Sequence, residues 1–436
     1  MAVAGIDLGS TGIKLLVTDA AGGELTSAQV PTPWRPGAGG TAELDADELM
    51  ACVRELLGRT SAKLDAIAIA GMGETGMLID DHGRPVARAY AWFDPRGAVQ
   101  AAAFPDRIRA EFAGRTGLPL GAQVSVSKLA HLRDQGIDLA GLRWLNLPEF
   151  VAAALGGRVA AEHSLASRTG LIDQDTGRPW PAMLRALGVG DDFVPPLADA
   201  GRPWGETEDG ALLTVAGHDH LVAAEAGGGL PPDHYHVSMG TAEVLLRVID
   251  APLGFEARRR LATFLINEVR HVVPGKHVLV AGVKTGLLLR RALRSSGITD
   301  RAGRDALDAA VMALPYQGAL PPGAIEVAGA RNDDGVLKLT LRGDGAGPAE
   351  VFGAVLRHSN DEIAELIRAM DRELPPAISA TLTGGWAGMA AVRRARSRVL
   401  PGLSVSQRDQ ETAYGATRVA ARLLSSVPPS MIGTPQ

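Results

Sequence analysis

Asp7, Gly9, Ser10, Thr11 and Lys14 fall close together in the opening stretch GIDLGSTGIKLLVTD. A glycine turn lets backbone N–H groups approach phosphate oxygens, because no Cβ blocks the way. Ser10 and Thr11 add hydroxyl donors, and Lys14 offsets phosphate charge. Asp7, at a strand end, is placed to hold Mg²⁺ through water. An ordinary hairpin with a polar turn fits the same composition, and the G-x-x-x-x-G-K-[ST] spacing of a Walker loop is absent. The stretch VSMGTAEVLLRVID repeats the pattern without a gap: Gly240 matches Gly9, Thr241 matches Ser10, Leu246 matches Leu15, Val248 matches Val17 and Asp250 matches Asp19. It has Ser238 and Leu245 where Asp7 and Lys14 stand. Two glycine hairpins of this kind predict two related domains facing each other across one metal carboxylate.

Three further groups carry chemistry. In GHDH, Asp219 lies where a strand passes into a helix, a position that stabilises a carboxylate. It reads either as an N-cap or as a general base that takes a proton from an attacking hydroxyl, the role of an Asp in protein kinases. His218 and His220 flank it; zinc is disfavoured, since no cysteine or acid stands at ligand spacing. GMGETG and AWFDPRG supply Glu74, Trp92, Asp94 and Arg96. Acids and a guanidinium suit the hydroxyls of a polyhydroxylated substrate and an aromatic face suits its C–H edges, although surface salt bridging uses the same residues. In LTGGWAG, Gly384 and Gly385 close a strand before a helix, which lets a flat ring lie against backbone, or forms a simple turn.

The elements that must hold these residues read as α/β. AVAGID and KLLVTD pair around the first turn. AELDADELMACVRELLGRT is a helix with an acidic first turn, and LDAIAIAG a buried strand. Residues 104–188 are mostly helical. LLTVAG runs into the helix HLVAAEAG, and GGGLPPD marks a boundary. This divides the chain into domains 1–229 and 230–427, with a tail at 428–436. SATLTGG is a further strand, and ETAYGATRVAARLL closes the chain as a helix. At 436 residues the chain exceeds one ordinary core. Hydrophobic residues make up 46%, charged residues 21% and aromatics only 4%, so the core is aliphatic. A net charge of −5 without a basic run gives no support to nucleic-acid or membrane-surface binding. One cysteine, Cys52, fits a reducing compartment. With neither a signal peptide nor an eighteen-residue apolar run, the expected location is the cytoplasm.

The order of these motifs resembles that of the FGGY carbohydrate kinases, which share the actin/hexokinase ATPase (ribonuclease H-like) fold with a deep interdomain cleft. The resemblance runs from about Val3 to Leu424. GIDLGSTGIKLLVTD resembles the family's first phosphate motif, VSMGTAEVLL its second, LTGGWAG its adenosine motif and WFDPRG its W-x-D-x-R substrate loop. TGLPLGAQVSVSKLAHL, SLASRTGLIDQDTG and GHDHLVAAEAGG resemble successive family segments in order. The resemblance implies ATP and Mg²⁺, with Asp7 and Asp219 at the metal and Asp219 as catalytic base. It implies that Gly9, Ser10, Thr11, Lys14, Gly240, Thr241, Gly282, Gly384 and Gly385 bind ATP, and that Glu74, Trp92, Asp94, Arg96, His218 and His220 line a sugar or polyol site. Three departures stand out: a trimmed segment around PYQGALPPGAIEVAGARNDDG, Trp386 where a small residue is usual, and Glu74 where glycerol kinases have glutamate and many xylulokinases histidine. The expected activity is transfer of the ATP γ-phosphate to a hydroxyl of a small sugar, a ketopentose such as xylulose foremost. A sugar-independent ATPase of the same superfold and a non-catalytic sugar sensor are the rival readings. Oligomeric state is open, a homodimer being the commonest form.

Overall fold

The computed structural model describes residues 1–228, 230–331, 336–342, 344–406 and 410–426. Alternating apolar residues and glycine turns build the first sheet from β1 (Ala2–Leu8), β2 (Gly12–Asp19), β3 (Glu24–Pro31), β4 (Ala66–Gly71), β5 (Gly205–Glu206) and β6 (Leu212–His218), in the order β5-β6-β4-β1-β2-β3. β1, β4 and β6 run parallel, and β2 and β3 continue as an antiparallel meander. α1 (Ala46–Leu57), capped by the Asp45 carboxylate on Asp47 N, crosses from β3 to β4. Its Leu49, Met50, Val53 and Leu56 cover one sheet face.

Residues 104–188 are built around helices, but turns and short strands take up more than half of the segment, where the sequence predicts mostly helix. They hold α2 (Asp106–Thr116), α3 (Ser125–Asp134), α4 (Leu147–Ala154) and the short α5 (His163–Ala166), followed after β6 by α6 (Asp219–Ala226). Short strands punctuate the segment, and Arg143–Asn146 pairs with Gly76–Ile79.

The second sheet contains β7 (His234–Met239), β8 (Glu243–Ile249), β9 (Asn267–Arg270), β10 (His277–Val283), β11 (Ser379–Thr383) and β12 (Leu403–Val405), ordered β9-β10-β8-β7-β11-β12. Its three parallel strands and meander repeat the first sheet strand for strand, β7 and β8 standing for β1 and β2. The two hairpins therefore do sit at corresponding points. Their turns differ by one residue: Leu8 faces Ile13, whereas Met239 faces Glu243. Across the ladder the partner of Asp7 is Lys14, and that of Ser238 is Val244, not Leu245. The gapless match slips by one on the second strand, because the turn over Gly240–Ala242 closes sooner.

α7 (Phe255–Ala262), α8 (Thr285–Ser295) and α9 (Pro348–Met370) belong to the second half. α8 and α9 cover one face of the second sheet. Its other face meets the helical segment of the first half: Phe104, Ile108, Phe112, Leu129 and Trp180 share a core with Val244, Leu246, Val269 and Val280.

α10 (Glu411–Ser426), grouped by its sequence position with residues 230–427, packs on the first sheet. Its Ala416, Val419, Ala420 and Leu423 lie against Val3, Ala66, Ala68 and Ala70. Small residues make this close approach feasible: a Cβ on Gly5 would stand 2.2 Å from Ala413 O. Gly229, at the expected boundary, and the tail 428–436 lie outside the described residues.

Candidate active site

Register gathers the chemistry on one edge. Leu8 is level with Gly71, and Gly71 with His218, so the carboxyl ends of β1, β4 and β6 deliver Asp7, Glu74 and Asp219 side by side. This is the edge at which open α/β sheets bind ligands. Asp7 is 5% exposed. Its Oδ2 lies 3.5 Å from Lys14 Nζ, while Oδ1 is buried with no partner. Burial, opposed by Lys14 and reinforced by Asp219, raises its carboxyl to about 6. A buried carboxylate oxygen left unpaired, beside a second carboxylate, is a donor set suited to a hard divalent cation. Behind the turn, Thr32 Oγ1 donates to Gly9 O at 2.6 Å and Trp34 Nε1 to Ser10 O at 2.7 Å, which fixes the backbone that would face phosphate.

Asp219 is the first residue of α6 and His218 its N-cap, so the carboxylate is not an N-cap after all. Oδ1 accepts from His220 N at 2.7 Å and lies 3.4 Å from His218 Nε2. Burial acts to raise this carboxyl, yet the His220 and His218 rings, the His220 N–H and Arg168 hold it below its ordinary value. Burial lowers His218 to about 3, leaving its ring neutral. The turn before Asp219 is built tightly. Gly217 has φ +107°, follows a bulge in β6, and a Cβ there would stand 2.5 Å from Val272 Cγ1. His218 N donates to Ser164 Oγ at 3.0 Å, and Ser164 Oγ donates to Glu162 Oε2 at 2.5 Å.

The substrate loop is more constrained than its composition suggests. Asp94 accepts from Ala42 N (2.8 Å) and from Arg96 N (2.9 Å), Nε (2.9 Å) and Nη2 (2.6 Å). Arg96 also donates to Glu43 at 2.7 Å and stacks 3.6 Å from the Tyr90 centroid. Asp94 is thus filled by Arg96 and acts to orient the loop. Trp92 is half-buried, edge-on to Phe93, with Lys284 Nζ of the second half 4.9 Å from its ring centroid. Glu74 adopts φ +62° and pairs with Arg168 Nη2; burial, opposed by Arg168, raises its carboxyl.

On the second half, Gly384 has φ +88° and lies against Met239 O, next to the Gly240 turn. Gly385 and Gly282 present backbone to open space: a Cβ on Gly385 meets nothing within 4 Å, and one on Gly282 only Glu243 O at 3.9 Å. Thr241 Oγ1 accepts from Arg290 Nη2 at 3.2 Å. Trp386 turns its indole toward Gly286, at the start of α8.

Sequence reasoning missed Arg168 and Lys128. Arg168 lies within SLASRTG, but its partner Glu74 is 94 positions away. Lys128 is buried, donating to Asp94 O at 3.1 Å and Ala122 O at 2.6 Å. Burial lowers its ammonium to about 8, although Asp94 and Glu74 counter that shift.

Residues 2–228 match the model of the FGGY family of carbohydrate kinases, N-terminal domain. The chain belongs to the FGGY family. It is 25% identical to xylulose kinase of Streptomyces coelicolor over 96% of this chain and 95% of that one. To glycerol kinase of Xanthobacter autotrophicus it is 27% identical, over 97% and 90%. The ligand-bound xylulose kinase of Lactobacillus acidophilus superposes with a TM-score of 0.84 at 16% identity, covering 97% of this chain and 89% of that chain. The two sheets of this FGGY kinase therefore form the actin/hexokinase-like fold, and its class of reaction is ATP-dependent phosphorylation of a carbohydrate. Among the described residues, no helix is long and apolar enough to cross a membrane, and no group of three His, Cys, Asp or Glu side chains is placed to hold a metal.

Proposed function

We propose that this FGGY kinase transfers the γ-phosphoryl group of MgATP to a hydroxyl of a small sugar or polyol, with Asp219 as general base. The observation that carries the reading is Asp219 itself: an ionised carboxylate at the helix start, close enough to Asp7 to raise its carboxyl, its second oxygen accepting no hydrogen bond among the described residues. That oxygen accepts the proton of the attacking hydroxyl as the O–P bond forms and ADP leaves. His218, neutral and buried, holds the other side of the carboxylate.

Asp7 would hold Mg²⁺, aided by Asp219; bound there with ATP, the ion neutralises charge on the phosphates. Lys14, the Gly9–Thr11 turn and the Gly240–Thr241 turn face the phosphates, and Gly282, Gly384 and Gly385 receive the adenosine. Glu74, Trp92, His220 and Arg96 wall the sugar, with Asp94 and Arg168 fixing two of those side chains. Closure over the sugar excludes water, so the sugar hydroxyl is the acceptor. A ketopentose and glycerol come first among acceptors, since a xylulose kinase and a glycerol kinase each align over nearly the whole chain.

The test is Asp219→Asn assayed by ADP release across pentuloses, hexuloses, tetritols, glycerol and aldoses. The wild type should turn over on one class, and the variant should lose roughly 10²–10⁴-fold in kcat with sugar and nucleotide still bound. Near-normal turnover by the folded variant rejects the base, and ADP release indifferent to every sugar rejects the acceptor.

A further inference from the structure

The halves meet a second time behind the turn that carries Asp219. β9 passes into β10 through residues 271–276, and Val272 Cγ1 of that connection presses on Gly217. Opposite stand the start of α5 and Asp199. Between them lies a cavity with about 40 Å³ of space open to water, lined by Glu162, His163, Asp199, Arg270, His271 and Lys276 among others. That is room for about three waters, or for one tetrahedral oxyanion.

Two of its donors are unspent. Arg270 Nε is buried without a partner, and Nη2 reaches only Gln174 O at 3.4 Å. Among the described residues no carboxylate pairs with this guanidinium. His271 is 3% exposed. Its Nδ1 accepts from Val273 N at 3.0 Å, so the ring proton resides on Nε2, which is buried and unpartnered. Lys276 stands at the rim, 2.5 Å from Asp250. Of the acceptors, Glu162 is spent, and Asp199 has long ion-pair contacts only. Glu162 takes Ser164 N, Ser164 Oγ and Leu165 N, all within its own half. Asp199 is shared between His163 (3.8 Å) and Arg202 (4.0 Å). Buried donors left unpaired cost free energy unless an ion or water meets them.

We propose that this cavity binds a phosphate-sized oxyanion, either inorganic phosphate or the phosphate group of a small metabolite, through Arg270, His271 Nε2 and Lys276. The bound anion is held by the β9–β10 connection of the second half, where that connection faces the α5 ledge of the first. Because Val272 and Ser164 both touch Gly217, occupancy is felt at the turn that aims Asp219. The site uses none of the residues assigned to ATP or sugar, so it stands whichever sugar is the acceptor.

Calorimetric titration of the full chain tests it, with Mg²⁺ and a non-hydrolysable ATP analogue present in excess to fill the nucleotide site. Inorganic phosphate and glycerol 3-phosphate are titrated separately. Saturable binding of inorganic phosphate assigns the free ion, and binding of the ester alone assigns a phosphorylated metabolite. In either case Arg270→Gln should weaken binding about tenfold or more, the loss of one charge-assisted contact. Lys276→Gln, at the half-buried rim, should weaken it less. No saturable binding by either compound, or binding that both variants leave unchanged, overturns the site.

Discussion

Asp7 shows how one side chain serves stability and chemistry with opposite sign. Its folded carboxyl titrates at about 6, above the ordinary 3.8, because burial disfavours the charge. The folded state therefore binds the proton more tightly than the unfolded state, and stability falls as pH rises from about 4 to 6. Above that window the ligand-free protein carries a penalty of up to about 3 kcal/mol, at 1.36 kcal/mol per pKa unit. Asp7→Asn removes the penalty. The ligand-free variant should melt higher than the wild type at pH 8, the two should converge near pH 4, and the variant should be inactive. Thermal melts at the two pH values, together with an ADP-release assay, check all three statements. With Asp7 holding Mg²⁺ as proposed, the ion competes with that proton, and the acid limb of kcat/KM should also move to lower pH as Mg²⁺ is raised. Asp7 and Asp219 were legible in the sequence because each sits beside a glycine turn at a strand end. Arg168 and Lys128 were not, since burial and a partner distant in sequence give them their roles. Asp94 reads from the sequence as a substrate contact, but composition alone could not show that Arg96 and Ala42 N already fill its carboxylate.

At the scale of elements, the catalytic turn is a strand end bent by one glycine. Gly217 occupies a backbone region that other residues avoid, with Val272 where a side chain would go. Gly217→Ala should cost on the order of 1–3 kcal/mol in denaturant unfolding. It should also lower kcat more than the affinity for nucleotide, since the His218 N–Ser164 Oγ bond that aims Asp219 shifts with it; an equal loss in both would place the turn's role elsewhere. Strands ending in glycine, and both hairpins, were readable from alternation and turn residues. The shorter second turn was not, because a gapless sequence match is blind to a one-residue change in closure, and that change moves side chains to the other face. The placement of α10 was also hidden: a small-residue stripe announces a close contact but not which sheet receives it.

The whole molecule is less divisible than two repeated sheets suggest. The helical segment of the first half shares a core with the second sheet, and Arg258 closes the seam. Fully buried, it donates to Gly114 O at 2.6 Å and to Asp175 at 2.7 Å, with Glu268 at 3.5 Å. Arg258→Ala strands buried partners and should destabilise by roughly 3–5 kcal/mol. Calorimetry should record one cooperative transition moving down in temperature. Two separated transitions would show that the halves melt independently and that the seam is not shared.

The return of α10 to the first sheet has a consequence for how the protein is made. The strands that present Asp7 and Asp219 leave the ribosome early, yet the face holding Gly5, Ala66 and Ala68 stays bare until residues 411–426 are synthesised. At ordinary elongation rates that interval is on the order of ten seconds or more. During it, the nascent first half exposes an alanine-rich face shaped for a helix still to come. Completion of the first sheet's packing is thus tied to near-complete translation.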